Sequence, residues 1–361
     1  MDRFFKELAQ DKPVRFTAQQ LYTFTTNYAE ILGSGGYGKV YKGKFPNGVK
    51  IAVKVLNKSS NDVSKQFMAE VGSIGRVHHI NLVRLFGFCH DQFMSALVYE
   101  FMENGSLDRH LFGENQLLEW EKLHDIALGT AKGIAYLHEE CDKRIIHYDI
   151  KPENVLLDAS FSPKVADFGL AKLCNRDDTH VSLTGYRGTP GYMAPEFMLK
   201  NYPITYKCDV YSFGMLMFEI VGRRRNTEMK GNSSDSVDWF PEQVWKEYEK
   251  GELIALVESR GIPENERSKA ERMCMVALWC VQDQPQTRPP MSVVVKMLEG
   301  DVEILQPPKP FSYWFKNTVM GNSLTRTTSN SSTSQGMDSY WIKEKPTTPV
   351  MNKYEITIAT L

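Results

Sequence analysis

The chain is poor in cysteine, with six among 361 residues. No two of them form a CxxC pair, no group of them has metal-ligand spacing, and they are too few to cross-link a chain of this length. We therefore expect free thiols in a reducing compartment and no disulfide framework. The six are Cys89, Cys141, Cys174, Cys208, Cys274 and Cys280.

The chain also lacks a surplus of either charge. Lys and Arg number 43, Asp and Glu number 44, and the formal net charge is −1. A protein dedicated to nucleic acid needs a basic surplus to meet phosphate groups. We therefore expect no nucleic-acid partner.

A long hydrophobic run is missing as well. The most apolar segment, residues 210–222, is too short to span a bilayer and contains Glu219, which favours a buried core helix. The first six residues carry charges where a signal peptide needs an apolar stretch, and position 2 is not glycine. These features predict a soluble, cytoplasmic chain.

The composition that is present supports a folded protein, with 42% hydrophobic and 11% aromatic residues. Residues 1–28 are mixed and are expected to form an N-terminal lead before the main domain, in which Thr17 is a candidate N-cap of a short helix. Residues 29–102 favour strands, with one helix near 63–77. Residues 103–305 favour helices, at 117–140, 210–221, 242–256 and 269–281. Residues 306–361 favour a disordered tail, since nine of the twelve residues 323–334 are Ser or Thr.

A glycine-rich run lies within the strand-rich region. It reads Gly33-Ser34-Gly35-Gly36-Tyr37-Gly38 and is followed by Val40, which matches the pattern G-x-G-x-x-G-x-V. Glycines allow a turn to bring backbone N–H groups close to phosphate oxygens. A flexible hairpin loop without a ligand is the alternative. A predicted strand follows the run, whereas in the dinucleotide-binding fold the glycines open a helix.

A lysine ends the predicted strand sixteen residues beyond the glycines. Lys54 follows Ile51-Ala52-Val53. A cation beside a phosphate-binding loop would contact phosphates, and Glu70 on the next helix would hold it through an ion pair. Ordinary solvent exposure of both side chains is the alternative.

A tight polar loop flanked by apolar residues occupies positions 145–157. Asp149 would accept or orient a hydroxyl proton, Lys151 would neutralise a transferring phosphoryl group, and Asn154 would ligate a metal. Eighteen residues after Asp149 comes Asp167-Phe168-Gly169, whose carboxylate suits Mg²⁺ because that ion prefers oxygen ligands. Either motif alone fits an ordinary turn, but both in this order after Lys54 predict phosphoryl transfer.

Together these motifs resemble the eukaryotic protein kinases over about residues 28–305, roughly three-quarters of the chain. The resemblance implies an α+β bilobal fold, with a small strand-rich N-lobe at 29–102 and a larger helical C-lobe at 103–305. Ala194-Pro195-Glu196, Asp209 and Arg288 also match. In that family Arg288 pairs with Glu196, and Asp209 braces the catalytic loop.

The resemblance implies the catalytic roles. Asp149 orients the substrate hydroxyl, Lys151 steadies charge on the moving phosphoryl group, and Thr189 holds these two in register. Asp167 and Asn154 hold Mg²⁺, with Mn²⁺ as a substitute.

The resemblance also implies the ATP contacts. The glycine loop covers ATP, and Lys54, held by Glu70, aligns the α- and β-phosphates. Tyr99 is the gatekeeper behind the adenine pocket, while Glu100 and Met102 offer hinge backbone groups to adenine. The predicted nucleotide-binding set is Leu32, Gly33, Ser34, Gly35, Gly36, Tyr37, Gly38, Val40, Ala52, Lys54, Glu70, Tyr99, Glu100 and Met102.

Further stretches narrow the resemblance. Residues 149–154 and 188–192 look like a serine/threonine kinase, and residues 97–107 are typical of plant receptor-like kinases. Residues 13–17 and 185–190 are most similar to the leaf-rust-resistance receptor-like kinase group. Members normally carry an ectodomain and a membrane span. The resemblance therefore implies receptor-type or defence signalling, protein substrates, autophosphorylation in trans, and a cytoplasmic kinase that is plasma-membrane associated or the inner part of a single-pass receptor.

One position departs from the family pattern. The residue before the catalytic Asp is usually Arg, which pairs with a phosphorylated activation-segment residue, and here it is Tyr148. A catalytically weak, ATP-binding scaffold is therefore the first alternative to an active kinase, and an unrelated nucleotide-binding enzyme such as a dehydrogenase is the second. Autophosphorylation is expected at 323–334 or in the activation segment, at Thr179, Ser182, Thr184 or Thr189.

Overall fold

A computed structural model gives the fold of the chain. It describes residues 13–35, 38–57, 63–75, 77–92, 94–113, 118–178, 180, 187–199, 202–229, 237–312 and 340–344.

A six-stranded sheet forms the N-terminal lobe, in the order β1-β5-β6-β4-β3-β2. All neighbours are antiparallel except β1 and β5. Side chains alternate between the two faces of a strand, so Ile51 and Val53 of β4 both point into the core and are fully buried. The strands are β1 (Val14–Arg15), β2 (Ile31–Gly35), β3 (Gly38–Lys44), β4 (Lys50–Leu56), β5 (Leu85–His90) and β6 (Ser95–Glu100).

Residues 13–28, predicted as a lead before the kinase domain, pack on this sheet. Val14 of β1 pairs with Gly87 of β5. Helix α1 (Ala18–Phe24) begins after Thr17, whose side chain accepts from the Gln20 N–H while the Gln20 side chain accepts from the Thr17 N–H. This capping box confirms the predicted helix start. Phe16 is 2% exposed in a second core cluster behind the sheet.

One long helix crosses the N-lobe. Helix α2 (Val63–Ile74) ends three residues before the predicted limit at Val77. Its buried residues Phe67 and Ile74 join the main core, which continues into the C-terminal lobe. This helix carries Glu70 to the side of the sheet that holds Lys54.

Helices dominate the C-terminal lobe, as predicted. Every residue of α5 is buried, which confirms the core helix expected at the most apolar segment. The described helices are α3 (Leu107–Phe112), α4 (Trp120–Ala135), α5 (Lys207–Gly222), α6 (Phe240–Lys250), α7 (Leu253–Ser259), α8 (Arg267–Cys280) and α9 (Met291–Glu299). A π-helical turn, Tyr136–Glu140, extends α4.

The single helix predicted over 242–256 is wrong. Gly251 has φ +74° and ends α6, and α7 begins at Leu253. Glycine adopts this left-handed conformation at little cost, so it terminates a helix that the apolar spacing alone would continue.

Short strand pairs connect the lobe's helices and carry the polar loops. Strand β7 (Arg144–Ile146) pairs with β10 (Lys172–Cys174), and β8 (Val155–Leu157) pairs with β9 (Pro163–Val165). The polar loop of residues 147–154 therefore runs between β7 and β8, and the Asp167 motif runs between β9 and β10. A further pair is β11 (Thr227–Met229) with β12 (Val237–Trp239).

Part of the predicted disordered tail is ordered. Strand β14 (Ile342–Glu344) pairs with β13 (Val302–Ile304), and Trp341 is 2% exposed. The Trp341 indole N–H donates to the Thr287 carbonyl over 2.8 Å. The prediction of disorder over 306–361 is therefore wrong for residues 340–344, because strand pairing and one buried indole fix them. Residues 323–334 lie outside the described part.

All six cysteines are buried and unpaired, which confirms the expected free thiols. Burial raises the pKa of Cys89 and of Cys141 to about 11, so neither is poised as a thiolate nucleophile. Within the described ranges, no helix is both long and apolar enough to cross a membrane.

Candidate active site

The glycine run forms the β2–β3 hairpin. Gly33 pairs with Val40, and Gly35 pairs with Gly38. Gly38 has φ +143°, and a Cβ there would lie 2.1 Å from the Val55 carbonyl oxygen, so only glycine fits. The Leu32 carbonyl, at the base of the hairpin, accepts from Arg109 of α3 over 3.4 Å. Ser34 lies in β2, and Gly36 and Tyr37 lie outside the described residues.

Lys54 links both lobes through two ion pairs. Its ammonium is 2.7 Å from Glu70 Oε1 and 2.7 Å from Asp167 Oδ1. Burial alone would lower the pKa of Lys54, but the two carboxylates outweigh burial and raise it. Burial raises the pKa of Glu70 to about 7 against the opposing effect of Lys54. The pKa of Asp167 is lowered, because Lys54 outweighs its burial.

The end of β6 lies beside the ion pair of Lys54 and Glu70. Ala52 of β4 lies opposite Tyr99, and the Tyr99 hydroxyl donates to Glu70 Oε2. The family resemblance implied that Tyr99 lies behind the adenine pocket, but no local pattern in the sequence predicts this bond. Glu100 follows Tyr99 and accepts from the Arg84 backbone N–H over 2.7 Å, while Met102 lies just beyond the strand and is 9% exposed.

Four predicted catalytic side chains form one hydrogen-bonded cluster. Thr189 donates to Asp149 Oδ1 over 2.6 Å and accepts from the Lys151 ammonium over 2.7 Å. Lys151 also pairs with Asp149 Oδ2 at 2.8 Å. Asn154 Nδ2 donates to the Asp149 carbonyl over 2.8 Å and to Oδ2 over 3.0 Å. The Asp149 carboxylate is therefore oriented by three partners that come from two separate loops.

A buried carboxylate fixes the backbone at the start of the polar loop, residues 147–154. Asp209, in the first turn of α5, is fully buried and accepts from the backbone N–H groups of His147 and Tyr148, both over 2.8 Å. His138 Nε2 lies 2.9 Å from Asp209 Oδ2. Tyr148 has φ +68°, a conformation uncommon for a non-glycine residue, and the Asp209 contact stabilises it.

Asp167 and Asn154 are suited to hold a divalent metal ion. One carboxylate and one amide carbonyl match the protein share of a site that is completed by water and substrate phosphates. Because Asn154 uses Nδ2 toward Asp149, its Oδ1 is the atom that can ligate a metal. Phe168, fully buried, meets His147 edge-on at 4.8 Å and fixes the segment that follows Asp167.

The activation segment runs from Asp167 to Glu196, and a buried ion pair anchors its C-terminal end. Arg288 contacts both Glu196 oxygens, at 2.7 and 2.8 Å, and both side chains are fully buried. The expected contacts of Arg288 with Glu196 and of Asp209 with the catalytic loop are thus both present. Thr179, Ser182 and Thr184 lie outside the described residues.

A second network beside the catalytic loop was missed by sequence reasoning. Tyr192 donates to Glu219 Oε2 over 2.6 Å, and Arg225 pairs with Glu153 Oε1 at 2.8 Å and contacts the Tyr192 hydroxyl at 3.5 Å. Burial raises the pKa of Glu219 to about 7. One signal in the sequence could have indicated this network: an acidic residue, Glu219, lies inside the most apolar segment of the chain.

Comparisons with known proteins agree with this geometry. The model of the protein tyrosine and serine/threonine kinase family matches residues 26–298. The chain is 47% identical over 318 residues to the rust resistance kinase Lr10 of Triticum aestivum, covering 86% of this chain and 49% of that protein. It is 49% identical over 307 residues to a G-type lectin S-receptor-like serine/threonine-protein kinase of Arabidopsis thaliana, covering 83% and 34%.

A third similar protein is the PR5-like receptor kinase of Arabidopsis thaliana, 43% identical over 311 residues, with 84% of this chain and 46% of that protein covered. The chain spans about half or less of the length of these relatives.

Proposed function

Because the chain belongs to the protein tyrosine and serine/threonine kinase family, we propose that it transfers the γ-phosphoryl group of ATP to serine and threonine hydroxyls of proteins. The observation that carries this proposal is the cluster of Asp149, Lys151 and Thr189. It places a proton acceptor and a cation side by side, which transfer to a hydroxyl requires. Nothing in this chemistry calls for a covalent intermediate.

Positioning and charge do most of the catalytic work in phosphoryl transfer. Asp149 orients the substrate hydroxyl and accepts its proton, and the bonds from Thr189 and Asn154 keep the carboxylate in that orientation. Lys151 lies at 2.8 Å from Asp149 and stabilises negative charge on the moving phosphoryl group. The backbone bonds to Asp209 keep the whole loop in place.

The opposite wall of the cleft binds the nucleotide. Lys54, kept in place by Glu70, contacts the α- and β-phosphates, and the β2–β3 hairpin covers them. Asp167 and Asn154 would hold Mg²⁺, with Mn²⁺ as a substitute. The bound metal would neutralise charge on the phosphates. Measuring activity with each metal in turn tests this preference.

An assay of phosphoryl transfer from labelled ATP to a protein substrate tests the activity. Wild type should label the substrate, and Asp149→Asn should reduce the rate by about 10²–10⁴-fold, the usual contribution of a general base. Asp301→Asn is the matched control, because Asp301 is exposed and lies between α9 and β13, outside both loops that form the cluster. Wild type and Asp149→Asn with the same background rate would overturn the proposal.

A catalytically weak scaffold is the second candidate, favoured by Tyr148. Its hydroxyl is buried and has no hydrogen-bond partner among the described residues. Because a phenol carries no positive charge, Tyr148 cannot replace the family's usual Arg in pairing with a phosphorylated residue. Such a scaffold would bind ATP in a titration and still label no substrate. The two measurements together distinguish the candidates.

We place the activity in plant receptor-type or defence signalling. The supporting observation is similarity to a rust resistance kinase and to receptor-like kinases. The expected partners are protein substrates and a plasma-membrane receptor complex, and no nucleic acid. Fractionation of plant cells, followed by cross-linking of the membrane fraction, tests this location.

Autophosphorylation in trans is part of the same proposal. Active enzyme should phosphorylate an added Asp149→Asn chain of distinguishable mass, within the activation segment or residues 323–334. Mass spectrometry locates the sites. Phosphate confined to the active chain would indicate modification in cis instead.

A further inference from the structure

Trp341 reaches from the C-terminal segment 340–344 into the C-terminal lobe and is 2% exposed. Strand β14 pairs with β13, and the Leu305 backbone N–H donates to the Trp341 carbonyl over 2.9 Å. The Leu305 carbonyl in turn accepts from the indole N–H of Trp279, in α8, over 2.9 Å. These bonds hold the backbone of Trp341 against the C-terminal lobe, although the residue is distant in sequence from the catalytic cluster.

The indole N–H of Trp341 contacts the turn that precedes Arg288. It donates to the Thr287 carbonyl over 2.8 Å. Thr287 ends the 3₁₀ turn Pro285–Thr287, and Arg288 follows it directly. Arg288 forms the buried ion pair with Glu196 that anchors the activation segment. The indole is therefore bonded to the residue next to that anchor.

The Trp341 ring also faces Lys207, at the start of α5. The Lys207 ammonium lies 5.5 Å from the centre of the Trp341 ring and 5.6 Å from the centre of the Tyr206 ring. It donates to the Arg288 carbonyl, and no carboxylate in the described ranges pairs with it. Burial, followed by the positive charge of Arg288, lowers the pKa of Lys207 to about 7. Because an aromatic face attracts a cation, the two rings stabilise a charge that burial disfavours.

Both contacts of the Trp341 side chain converge on Arg288. Lys207 and Arg288 are joined twice, since the Lys207 ammonium donates to the Arg288 carbonyl and Arg288 Nη1 donates to the Lys207 carbonyl over 3.0 Å. Removal of the indole would leave the Thr287 carbonyl without this donor and the Lys207 ammonium without one of its two aromatic faces. Both losses fall on residues that are bonded to Arg288.

The anchored segment carries Thr189, which orients Asp149. Only six residues separate Thr189 from Glu196. Between them, the Tyr192 backbone N–H donates to the Thr189 carbonyl over 3.1 Å, and the Tyr192 carbonyl accepts from Ser212 of α5 over 2.8 Å. Because this stretch is short and bonded to itself and to α5, a loosened Glu196 would also loosen Thr189.

We propose that Trp341 is a positioning residue for phosphoryl transfer. It acts through Thr287 and Lys207 on the buried ion pair that anchors the activation segment. The anchored segment then keeps Thr189 beside Asp149. The catalytic role rests on the proposed function, whereas the coupling of Trp341 to the anchor does not.

Hydrogen–deuterium exchange measures the coupling without kinase activity, in full-length Asp149→Asn protein with and without Trp341→Ala. Exchange of residues 189–199 should become at least about fivefold faster, because the anchor loses a hydrogen bond next to it. Residues 213–221 of α5 are all buried and report a general loss of stability. Exchange of 189–199 should rise by a larger factor than exchange of 213–221. Equal factors, or no change in 189–199, would overturn the coupling.

Tyr340→Ala is the matched control. Tyr340 is the residue before Trp341, is 50% exposed, and has its ring edge-on to Trp279 at 5.6 Å. This variant should leave exchange of 189–199 unchanged, and an increase equal to that of Trp341→Ala would overturn the specific role of Trp341. Trp341→Phe keeps an aromatic ring but lacks the indole N–H, so it should give a smaller increase. If Trp341→Ala does not fold, unchanged exchange of 189–199 in Trp341→Phe would overturn the coupling.

The labelling assay tests the catalytic role. Trp341→Ala should lower kcat at least about fivefold and leave the KM for ATP within about twofold, because Lys54 and Glu70 of the N-terminal lobe do not contact the anchor. Unchanged kcat beside faster exchange, or a KM for ATP that changes as much as kcat, would overturn the positioning role. If wild type labels no substrate, the proposed function fails, and the exchange experiment still decides on the coupling.

Discussion

Replacing Arg288 by Ala should cost about 3–5 kcal/mol of unfolding free energy, the usual effect of removing one partner of a buried ion pair. Arg288 directs Nη1 and Nη2 at the two Glu196 oxygens, at 2.8 and 2.7 Å. Its remaining donors reach the carbonyls of Gln282 at 2.8 Å, Lys207 at 3.0 Å and Asp283 at 3.3 Å. The variant would leave the Glu196 carboxylate buried without a counter-charge, and it would also leave three carbonyls without this donor.

The effect is measurable as a melting shift. At roughly 2 °C per kcal/mol for a domain of this size, the melting midpoint should fall by about 6–10 °C. Arg267→Ala is the matched control, because Arg267 pairs with Glu258 at 3.0 Å with both side chains partly exposed, 26% and 57%. Such a pair contributes about 0–1 kcal/mol, so its removal should shift the midpoint little.

A double-mutant cycle separates the pair from its surroundings. If the buried charge causes the loss, Glu196→Ala combined with Arg288→Ala should cost clearly less than the sum of the two single changes. Additive losses, or equal midpoints for Arg288→Ala and Arg267→Ala, would refute the reasoning.

Three other substitutions probe contacts that the sequence did not reveal. Tyr99→Phe removes the hydroxyl that donates to Glu70, so ATP KM should rise and chemical denaturation should show a loss of about 1–3 kcal/mol. Gly87→Ala places a Cβ 2.4 Å from the Phe16 ring, and its overpacking should cost about 1–3 kcal/mol by the same measurement; unchanged stability would contradict the packing of residues 13–28. Trp341→Ala should lower stability by about 3 kcal/mol, which calorimetry can check; no change would mean that the indole is not buried.

The candidate site could be predicted from the sequence wherever chemistry fixes both residue type and spacing. Lys54, Glu70 and Asp167 are far apart in the chain, yet each sits in a motif whose neighbours define a strand, a helix or a turn. The sheet and α2 bring Lys54 to 2.7 Å from Glu70, as the motifs predict. The 2.7 Å contact of Lys54 with Asp167 was not predicted, and it also depends on the turn between β9 and β10 of the C-terminal lobe. The role of Asp209 came from the family resemblance instead, and its bonds from the His147 and Tyr148 backbone N–H groups agree with that role.

The features that were missed depend on contacts without a local pattern. Trp341 looks like an isolated aromatic residue in a polar tail, and only β13 and Thr287 explain its burial. The bond from the Tyr99 hydroxyl to Glu70 joins β6 to α2, and neither residue's own stretch predicts it. The break at Gly251 was a local signal, since glycine ends helices, but the apolar spacing on both sides concealed it.

Tyr148 stands where the family usually has Arg, and its ring lies beside a cation of the activation segment, Arg187. The Arg187 guanidinium lies 6.0 Å from the centre of the Tyr148 ring, so the cation is on the activation-segment side and the aromatic ring is on the catalytic loop. This contact needs no phosphate. Asp209 already fixes the backbone at position 148 through a 2.8 Å bond. The catalytic loop is thus held in position without a charged residue at 148, which is why alanine at Thr179, Ser182 or Thr184 should reduce activity only modestly in a labelling assay.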